Sequence, residues 1–401
     1  MKTPRKAWCR AYQTAFKAAI PVMPYREPEI LDSTDRIAEL CVEKGIDSII
    51  IVTDPGISKI GLADSTIKAC EDAGVKVTFY DKTVANPTID NVEEVRELYL
   101  ANKCQALVGF GGGSSMDCAK GAAVRIARPN KSIDKLEGVL KVHTKLPLLI
   151  AVPTTAGTGS EVTVAAIITD AKTHHKFSVM DFCLIPRYAV HDYRLTTGLP
   201  GHITSTTGMD ALTHAVEAYI GRSTTRYTRL MAQEAVSIIK RHLKRAYDNG
   251  QDAEARQNML YASYCAGIAF TVSYVGYVHG LAHALGGQYG VPHGLANAII
   301  LPHMLRAYGD TVHESLGHLA RLNEIAPADA SDADAANAFI DWVDEMNASM
   351  DIPKYVEGIE ERDIPKMAMN ADAESNPLYP VPKLMDVDDL AHMFRVVGNL
   401  V

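Results

Sequence analysis

The sequence predicts an α/β domain with a parallel sheet, followed by an all-α domain, and two observations support this prediction. From about residue 35 to residue 195, short β-branched runs alternate with helical patterns, as in a parallel sheet covered by helices on both faces. Beyond Gly201 the chain continues as long stretches rich in Ala, Leu and Glu at helical spacing, without a convincing strand. Gly and Pro punctuate residues 195–201, so we expect one domain over residues 1–197 and the other over residues 198–401.

The expected elements follow in chain order. The basic N-terminal stretch has no acidic residue before Glu27 but contains Trp8, Tyr12 and little Ser, which favours an amphipathic helix over a transit peptide. The expected strands are four apolar, β-branched runs: 47–53 (DSIIIVT), 75–80 (VKVTFY), 106–110 (ALVGF) and 148–152 (LLIAV). The clearest helices of the second domain are expected over residues 225–247 and 254–270.

Composition narrows the functional class. With 401 residues, of which 47% are hydrophobic and 22% charged, the chain can bury a sizeable core, and fibrous or low-complexity proteins are excluded. A net charge of −8 argues against a duplex nucleic-acid binder, and no apolar run approaches the length of a membrane span. Seven scattered cysteines without a CxxC pair indicate reduced thiols in a cytoplasmic protein. The expected partner is therefore a small molecule.

Two loops follow expected strands and suit a phosphate-bearing ligand. The segment 106–120 (ALVGFGGGSSMDCAK) joins an apolar strand to a helix through glycines, which let backbone approach a ligand and expose N–H groups at the helix start. It is neither the GxGxxG fingerprint nor a Walker A loop, and a merely tight turn is the alternative. The segment 152–163 (VPTTAGTGSEVT) is rich in hydroxyl groups and also follows a strand. Asp54 or Asp81, each at a strand end, can hold a ribose, and spacing does not choose between them.

A second group of residues predicts a metal site in the helical domain. Asp210 and His214 are four residues apart, hence on one face of a helix. His279 and His283 have the same spacing, and His293 follows ten residues later. One carboxylate and two or three imidazoles from such segments suit a divalent transition metal. A four-coordinate site would use four of these five residues, so one of them is not a ligand. Pairing of His279 with either His283 or His293 is sterically possible.

The sequence resembles the iron-containing (group III, metal-dependent) alcohol dehydrogenase family over roughly residues 35–400. The resemblance is carried, in the family's order, by GGGSSMDCAK at 111–120, PTTAGTGSEVT at 153–163, GMDALTHAVEAY at 208–219 and HGLAHALGGQYGVPHG at 279–294. It implies an α/β dinucleotide-binding domain and a helical metal-binding domain, as in the dehydroquinate synthase-like fold. Residues 1–30 depart from the family pattern, because an apolar strand and a glycine are common there in the family.

The resemblance also implies roles for individual residues. The metal ligands would be Asp210, His214, His279 and His293, with His283 near the nicotinamide as a proton relay. Asp54 would favour NAD, because a carboxylate accepts hydrogen bonds from the ribose hydroxyls and repels a 2′-phosphate. The residues expected to contact the cofactor are Asp54, Asn86, Gly112, Gly113, Ser114, Ser115, Asp117, Thr154, Thr155, Thr158, Thr163 and Lys176. Asp117, at the nicotinamide side of its loop, is expected to take part in catalysis with His283.

The expected function is reversible hydride transfer between NADH and a small aldehyde, catalysed with one divalent metal ion, Fe²⁺ or Zn²⁺, with Mn²⁺ also compatible. Candidate substrates are short-chain, hydroxy- and anionic aldehydes such as sulfoacetaldehyde, and a homodimer or higher homo-oligomer is expected. One alternative is a metal- and NAD-dependent lyase of the dehydroquinate synthase type, although no Lys or Arg occurs over residues 276–302 to hold its phosphorylated substrate. The other alternative is a non-catalytic, metal-binding component of a protein filament.

Overall fold

The computed structural model describes residues 1–173 and 175–401. The strands are β1 Glu29–Leu31, β2 Ser48–Val52, β3 Lys76–Tyr80, β4 Ala106–Gly111, β5 Gly138–Val139, β6 Leu148–Pro153, β7 Ala165–Asp170, β8 His175–Met180 and β9 Tyr188–Val190. The α-helices are α1 Thr3–Ala19, α2 Asp35–Lys44, α3 Pro55–Lys59, α4 Asp64–Asp72, α5 Ile89–Ala101, α6 Gly113–Ala127, α7 Gly201–Ile220, α8 Arg226–Asp248, α9 Ala253–Ser273, α10 Tyr277–Tyr289, α11 His293–Tyr308, α12 His313–Leu322, α13 Asp332–Ser349, α14 Ile364–Ser375 and α15 Val387–Val397.

The chain forms two compact units, one made of Pro24–Gly198 and the other of Met1–Met23 with Leu199–Val401. The first contains all nine strands, and every regular element among the described residues of the second is a helix. The predicted fold class, an α/β domain followed by a helical domain, is confirmed. The sequence-based boundary differs at one end, because it assigned residues 1–23 to the α/β domain, whereas these residues pack with the helices.

The main sheet of the α/β unit has six parallel strands in the order β1-β9-β6-β4-β2-β3. Every residue of β2 and of β4 is buried, because helices cover both faces of the sheet. The four expected strands correspond to β2, β3, β4 and β6. A second sheet of three strands, in the order β5-β8-β7, was not predicted.

The carboxyl ends of the parallel strands meet at one edge of the main sheet. β4 and β6 are hydrogen-bonded neighbours, and Gly111 lies opposite Pro153 in their register. The glycine-rich loop that follows β4 and the hydroxyl-rich loop that follows β6 are therefore adjacent. Asp54 follows β2, the strand on the other side of β4.

The N-terminal helix α1 is fastened to the end of the helical unit. Arg5 forms a 2.6 Å ion pair with Asp372, and Arg10 donates hydrogen bonds to the carbonyls of Val381 and Pro382. Gln13, a buried residue of α1, donates to the carbonyl of Tyr379 at 2.7 Å. These contacts explain why residues 1–23 belong to the helical unit, and their partners lie more than 360 residues away in sequence.

Within residues 1–173 and 175–401, no single helix is both long and apolar enough to cross a membrane. The one combination with suitable composition, α9 with α10, is bent by 101° between its two helices. All seven cysteines are free.

Candidate metal centre and cofactor loops

Three helices bring four of the five predicted metal ligands together. α7 carries Asp210 and His214 one turn apart, α10 carries His279 in its first turn, and α11 begins at His293. One ligand atom from each of these residues lies within 4.8 Å of the other three. The structure thus pairs His279 with His293 and leaves His283 outside this group.

The donor set fits a divalent transition metal. The carboxylate oxygen Oδ1 of Asp210 lies 3.5 Å from Nε2 of His293, and the ring of His214 stacks 4.5 Å from that of His279. Asp210, His214 and His279 are buried, whereas the side chain of His293 is 35% exposed. Burial alone would raise the pKa of Asp210, but the imidazoles of His214, His293 and His279 lower it below its usual value. Three imidazoles and one ionised carboxylate are typical ligands of Zn²⁺ and Fe²⁺.

Glu217 orients one of these ligands and was missed from the sequence. Its Oε2 lies 2.6 Å from Nδ1 of His279 and accepts from the backbone N–H of Gly276, while Oε1 accepts from the N–H of Val278. Because a carboxylate only accepts, Nδ1 of His279 carries the hydrogen and Nε2 is left for a metal. Burial opposes protonation of His279, but the bond to Glu217 raises its pKa overall. The signal was present, since Asp210, His214 and Glu217 share one helix face.

Replacing Glu217 by glutamine should weaken metal binding by about 10- to 100-fold. The amide is nearly isosteric, yet its NH₂ group cannot accept the hydrogen bonds that the lost oxygen accepts, so the ring of His279 is no longer fixed. Competition with a chromophoric chelator measures the affinity. Glu314→Gln, at an exposed position on α12, is the matched control. Equal affinities in both variants would remove Glu217 from the ligand-orienting role.

Asn297 is a second buried residue that sequence reasoning missed. Its Nδ2 donates to Oδ1 of Asp210 at 2.7 Å and lies within 3.2 Å of Nε2 of His279 and of His293. Asn297 lies one turn after His293 on α11, so it reaches the same group of donor atoms. The amide therefore holds the carboxylate of Asp210 in place among the imidazoles.

His283 lies beside the ligand group and has its own carboxylate. Its ring stacks 5.1 Å from that of His293, and its Nδ1 lies 2.6 Å from Oε1 of Glu374. The hydroxyl of Tyr379 donates to the same oxygen of Glu374 at 2.6 Å. Because the carboxylate accepts from Nδ1, the ring presents Nε2 as its second, accepting nitrogen. No sequence pattern connects His283 to Glu374, since 91 residues separate them.

In the α/β unit, the glycine-rich and hydroxyl-rich loops pack directly on each other. The N–H of Thr154 donates to the carbonyl of Gly111 at 3.1 Å. A Cβ added to Gly113 would lie 3.0 Å from Cγ2 of Thr158, a tight contact that glycine avoids. The hydroxyl of the buried Ser115 has no hydrogen-bond partner in the described part of the chain. Bare N–H groups at the start of α6 and an unsatisfied hydroxyl beside them suit a phosphate.

Three further residues expected to contact the cofactor form a hydrogen-bonded chain. The N–H of Asn86 donates to Oγ of Ser114 at 3.2 Å, and Nζ of Lys176 donates to Oδ1 of Asn86 at 2.7 Å. Asn86 has a φ of 58°, the left-handed conformation that asparagine tolerates better than most residues. These residues come from three distant segments, and the structure brings them together at the start of α6.

The two acidic candidates for a ribose lie in different environments. Asp54 caps α3, and its Oδ1 accepts from the N–H groups of Gly56 and Ile57 at 2.8 and 3.1 Å. Asp81 accepts from the hydroxyl of Ser58 through Oδ2 at 2.7 Å. The cap fixes the carboxylate of Asp54 at the end of β2, where its Oδ2 can accept further hydrogen bonds.

The side chains of Asp117 and Thr163, both expected to contact the cofactor, form hydrogen bonds within the α/β unit. Both oxygens of Asp117 are used within the protein, because Oδ1 accepts from Oγ of Ser160 and Oδ2 from the N–H of Ile167. Oγ1 of the buried Thr163 accepts from the ammonium group of Lys120 at 2.8 Å. Asp117 therefore has a structural role in the hydroxyl-rich loop, while a catalytic or cofactor contact at this residue stays a prediction, since each carboxylate oxygen can accept a second hydrogen bond.

Comparisons with known proteins agree with this architecture. Residues 31–193 match the family model described as iron-containing alcohol dehydrogenase, and residues 204–397 match that of the Fe-containing alcohol dehydrogenase family, C-terminal. Alcohol dehydrogenase 4 of Schizosaccharomyces pombe is 38% identical over 92% of this chain and 89% of the relative. The NAD-dependent methanol dehydrogenase of Bacillus methanolicus is 35% identical, with 88% and 92% covered. A crystal structure of 1,3-propanediol oxidoreductase superposes with a TM-score of 0.88 at 33% identity, covering 94% of this chain and 98% of that one.

Proposed function

Because the chain belongs to the iron-containing alcohol dehydrogenase family, we propose that it is a metal-dependent, NAD(H)-linked alcohol dehydrogenase that reduces a small aldehyde reversibly. The observation that supports this most directly is the gathering of Asp210, His214, His279 and His293 within 4.8 Å. The same chain carries a glycine-rich loop packed on a hydroxyl-rich loop at the carboxyl edge of a parallel sheet, where such sheets bind nucleotides.

Asp210, His214, His279 and His293 would hold the metal, which we propose to be Fe²⁺ or Zn²⁺, with Mn²⁺ also compatible. When bound, the metal supplies Lewis acidity toward a substrate oxygen, and NAD(H) accepts or supplies the hydride. Two residues of the chain prepare the site for it. Glu217 keeps the hydrogen of His279 on Nδ1, and Asn297 holds the carboxylate of Asp210.

His283 is the proposed proton relay. Glu374 accepts from Nδ1 of His283, so Nε2 is the atom at which a proton can be held and passed on. Tyr379 donates to the same carboxylate and keeps it in position. The Nε2 atom of His283 would thus accept or return the proton that accompanies interconversion of alcohol and aldehyde.

The glycine-rich loop and the start of α6 would bind the diphosphate of the cofactor. The proposed contacts are the N–H groups of Gly112 and Gly113 and the hydroxyls of Ser114 and Ser115, with Thr154, Thr155 and Thr158 on the adjacent loop. Asn86 lies beside Ser114 and would approach the adenosine half, and Lys176, hydrogen-bonded to Asn86, would line the cofactor. Asp54 would accept hydrogen bonds from the adenosine ribose.

Asp54→Asn should relax the preference for NADH over NADPH by at least about tenfold in kcat/KM, because the carboxylate that repels a 2′-phosphate is lost. The asparagine side chain still caps α3, so the loop is preserved. Asp81→Asn is the matched variant at the other candidate acid and should leave the ratio near that of the unmodified enzyme. A change confined to Asp81→Asn would transfer the ribose contact to that residue.

A panel of short-chain, hydroxy- and anionic aldehydes, assayed with NADH and with NADPH after metal loading, tests the proposed activity. The expected result is one NADH consumed per aldehyde reduced, with activity lost on chelation of the metal. A lyase of the dehydroquinate synthase type would return its cofactor and show no net NADH consumption. A non-catalytic protein would show neither NADH consumption nor NADH binding in a fluorescence titration. The panel also identifies the substrate among aldehydes as different as sulfoacetaldehyde and unsubstituted short-chain aldehydes.

A further inference from the structure

Lys120 is a fully buried cation that the proposed reaction does not use. It lies on α6, two turns after the glycine-rich loop, and its side chain is 0% exposed. Its Nζ reaches the carbonyls of Ser160, Thr163 and Ala165 at 2.7, 3.2 and 2.9 Å. It also reaches the hydroxyls of Ser160 and Thr163 at 3.0 and 2.8 Å. All five oxygens belong to the end of the hydroxyl-rich loop and the first residue of β7.

A buried ammonium is costly unless it is paired and hydrogen-bonded. Asp117 lies one turn before Lys120 on α6, and the buried Glu161 lies in the loop, so both carboxylates favour the charged form. A methionine would fill similar space without this cost. The charged group is therefore suited to fixing the path of the backbone over residues 160–165, which apolar packing alone would not do.

Asp117 acts on the same segment from the same helix. Its two oxygens accept from Oγ of Ser160 and from the N–H of Ile167, so it binds donors where Lys120 binds acceptors. Together the two side chains satisfy polar groups on both sides of the loop end. The start of α6 presents Gly113 and Ser114, and the same helix therefore anchors both loops.

We propose that Lys120 is a positioning residue of the cofactor site, which with Asp117 holds the hydroxyl-rich loop at a fixed distance from the glycine-rich loop. This inference rests on the proposed function in one respect, namely that the two loops bind NAD(H). When both loops are held in place before binding, they lose less conformational entropy as the cofactor binds. Lys120 itself touches neither substrate nor cofactor in this assignment.

The protonation state of Lys120 gives the proposal a pH dependence. Burial lowers the pKa of Lys120 to about 8, against the opposing effects of Asp117 on α6 and Glu161 in the loop. Lys176 acts on Asp117, and Nε2 of His191 lies 3.7 Å from Glu161. Below this pH the ammonium has three hydrogens for the five oxygens, and above it only two. The loop is therefore held most firmly below pH 8 and loosens as the pH rises further.

Lys120→Met tests the proposal through hydrogen exchange and cofactor binding. Without cofactor, amide exchange over residues 153–165 should become faster, while the central strands β2 and β4 keep their protection. The Kd for NADH at pH 7 should rise at least about tenfold, because charge-assisted hydrogen bonds are lost. Metal content should not change. In the unmodified enzyme the Kd should rise between pH 7 and pH 9, whereas the variant should lack this rise.

Lys68→Met, at an exposed position on α4, is the matched control and should change none of these quantities. Thr163→Val removes one of the five acceptors and should give a smaller effect in the same direction, which keeps the test valid if Lys120→Met does not fold. Unchanged exchange over 153–165 together with an unchanged Kd would overturn the proposal, as would general loss of protection across the sheet. If the unmodified protein does not bind NADH, the proposed function fails, while the exchange measurement still decides whether Lys120 holds the loop.

Discussion

Replacing His293 by alanine should remove most of the bound metal and lower aldehyde reduction by more than about 100-fold. Loss of a residue that only orients a metal ligand lowers metal affinity or activity by up to about 100-fold, and loss of a ligand itself should lower them further. His293 is the only ligand candidate on α11, and it is the most exposed of the four. Its loss leaves Asp210 with two imidazoles, which both weakens metal binding and opens the site to water. His279→Ala should act similarly and also leave Glu217 without its hydrogen-bond donor from the ring.

Metal analysis of the purified variants and NADH oxidation with the best aldehyde of the panel measure both effects. His392→Ala, an exposed histidine on α15, is the matched control and should retain metal and activity. If alanine at His279 or His293 left both bound metal and NADH oxidation unchanged, the ligand assignment would be wrong.

Gly294→Ala should destabilise the helical unit by about 1–3 kcal/mol and weaken metal binding, although it removes no ligand. A Cβ on Gly294 would lie 2.5 Å from the carbonyl oxygen of Thr206 and 3.5 Å from Cβ of Asp210. The first contact is with backbone and cannot be relieved by turning a side chain. The start of α11 must therefore move away from α7, which separates His293 from Asp210.

The same substitution at Gly287 provides the comparison. Gly287 lies within α10, and a Cβ there would meet nothing within 4 Å. Gly287→Ala should therefore be neutral or stabilise the protein by up to about 1 kcal/mol, as expected for alanine in a helix. Thermal unfolding in the presence and absence of metal measures both variants. Equal stability and metal affinity in the two would show that the close approach of α7 and α11 is not needed.

The central strands were predictable because burial on both faces leaves a short apolar run, and its β-branched residues and short length distinguish it from a buried helix. β2, β4 and β6 appear where such runs occur, and the edge strand β3, which is only partly buried, was recognised from its β-branched and aromatic residues. β1 and β9 have three residues each, too few to show any periodicity. The position of α1 was not predictable, since an amphipathic pattern identifies a helix but does not identify the surface that it covers.

The same reasoning applies to the candidate site. Spacing of four residues placed Asp210 with His214, but it could not decide between His283 and His293 as the fourth partner, because that choice depends on how α10 and α11 cross. Glu374 lies 91 residues from His283, so sequence offered no link between them. The resemblance placed Asp117 at the nicotinamide side of its loop, but the orientation of its carboxylate depends on donors supplied by Ser160 and Ile167, which the sequence does not indicate.

The docking of α1 determines the order in which the units can be completed during synthesis. The α/β unit is continuous from Pro24 to Gly198, so all of its partners have been made once that segment leaves the ribosome. Helix α1 precedes it, but Arg5 pairs with Asp372, 367 residues later. Helix α1 therefore cannot reach these packing partners until residues 372–382 have been synthesised. The helical unit is therefore completed last, when α1 packs against residues 372–382.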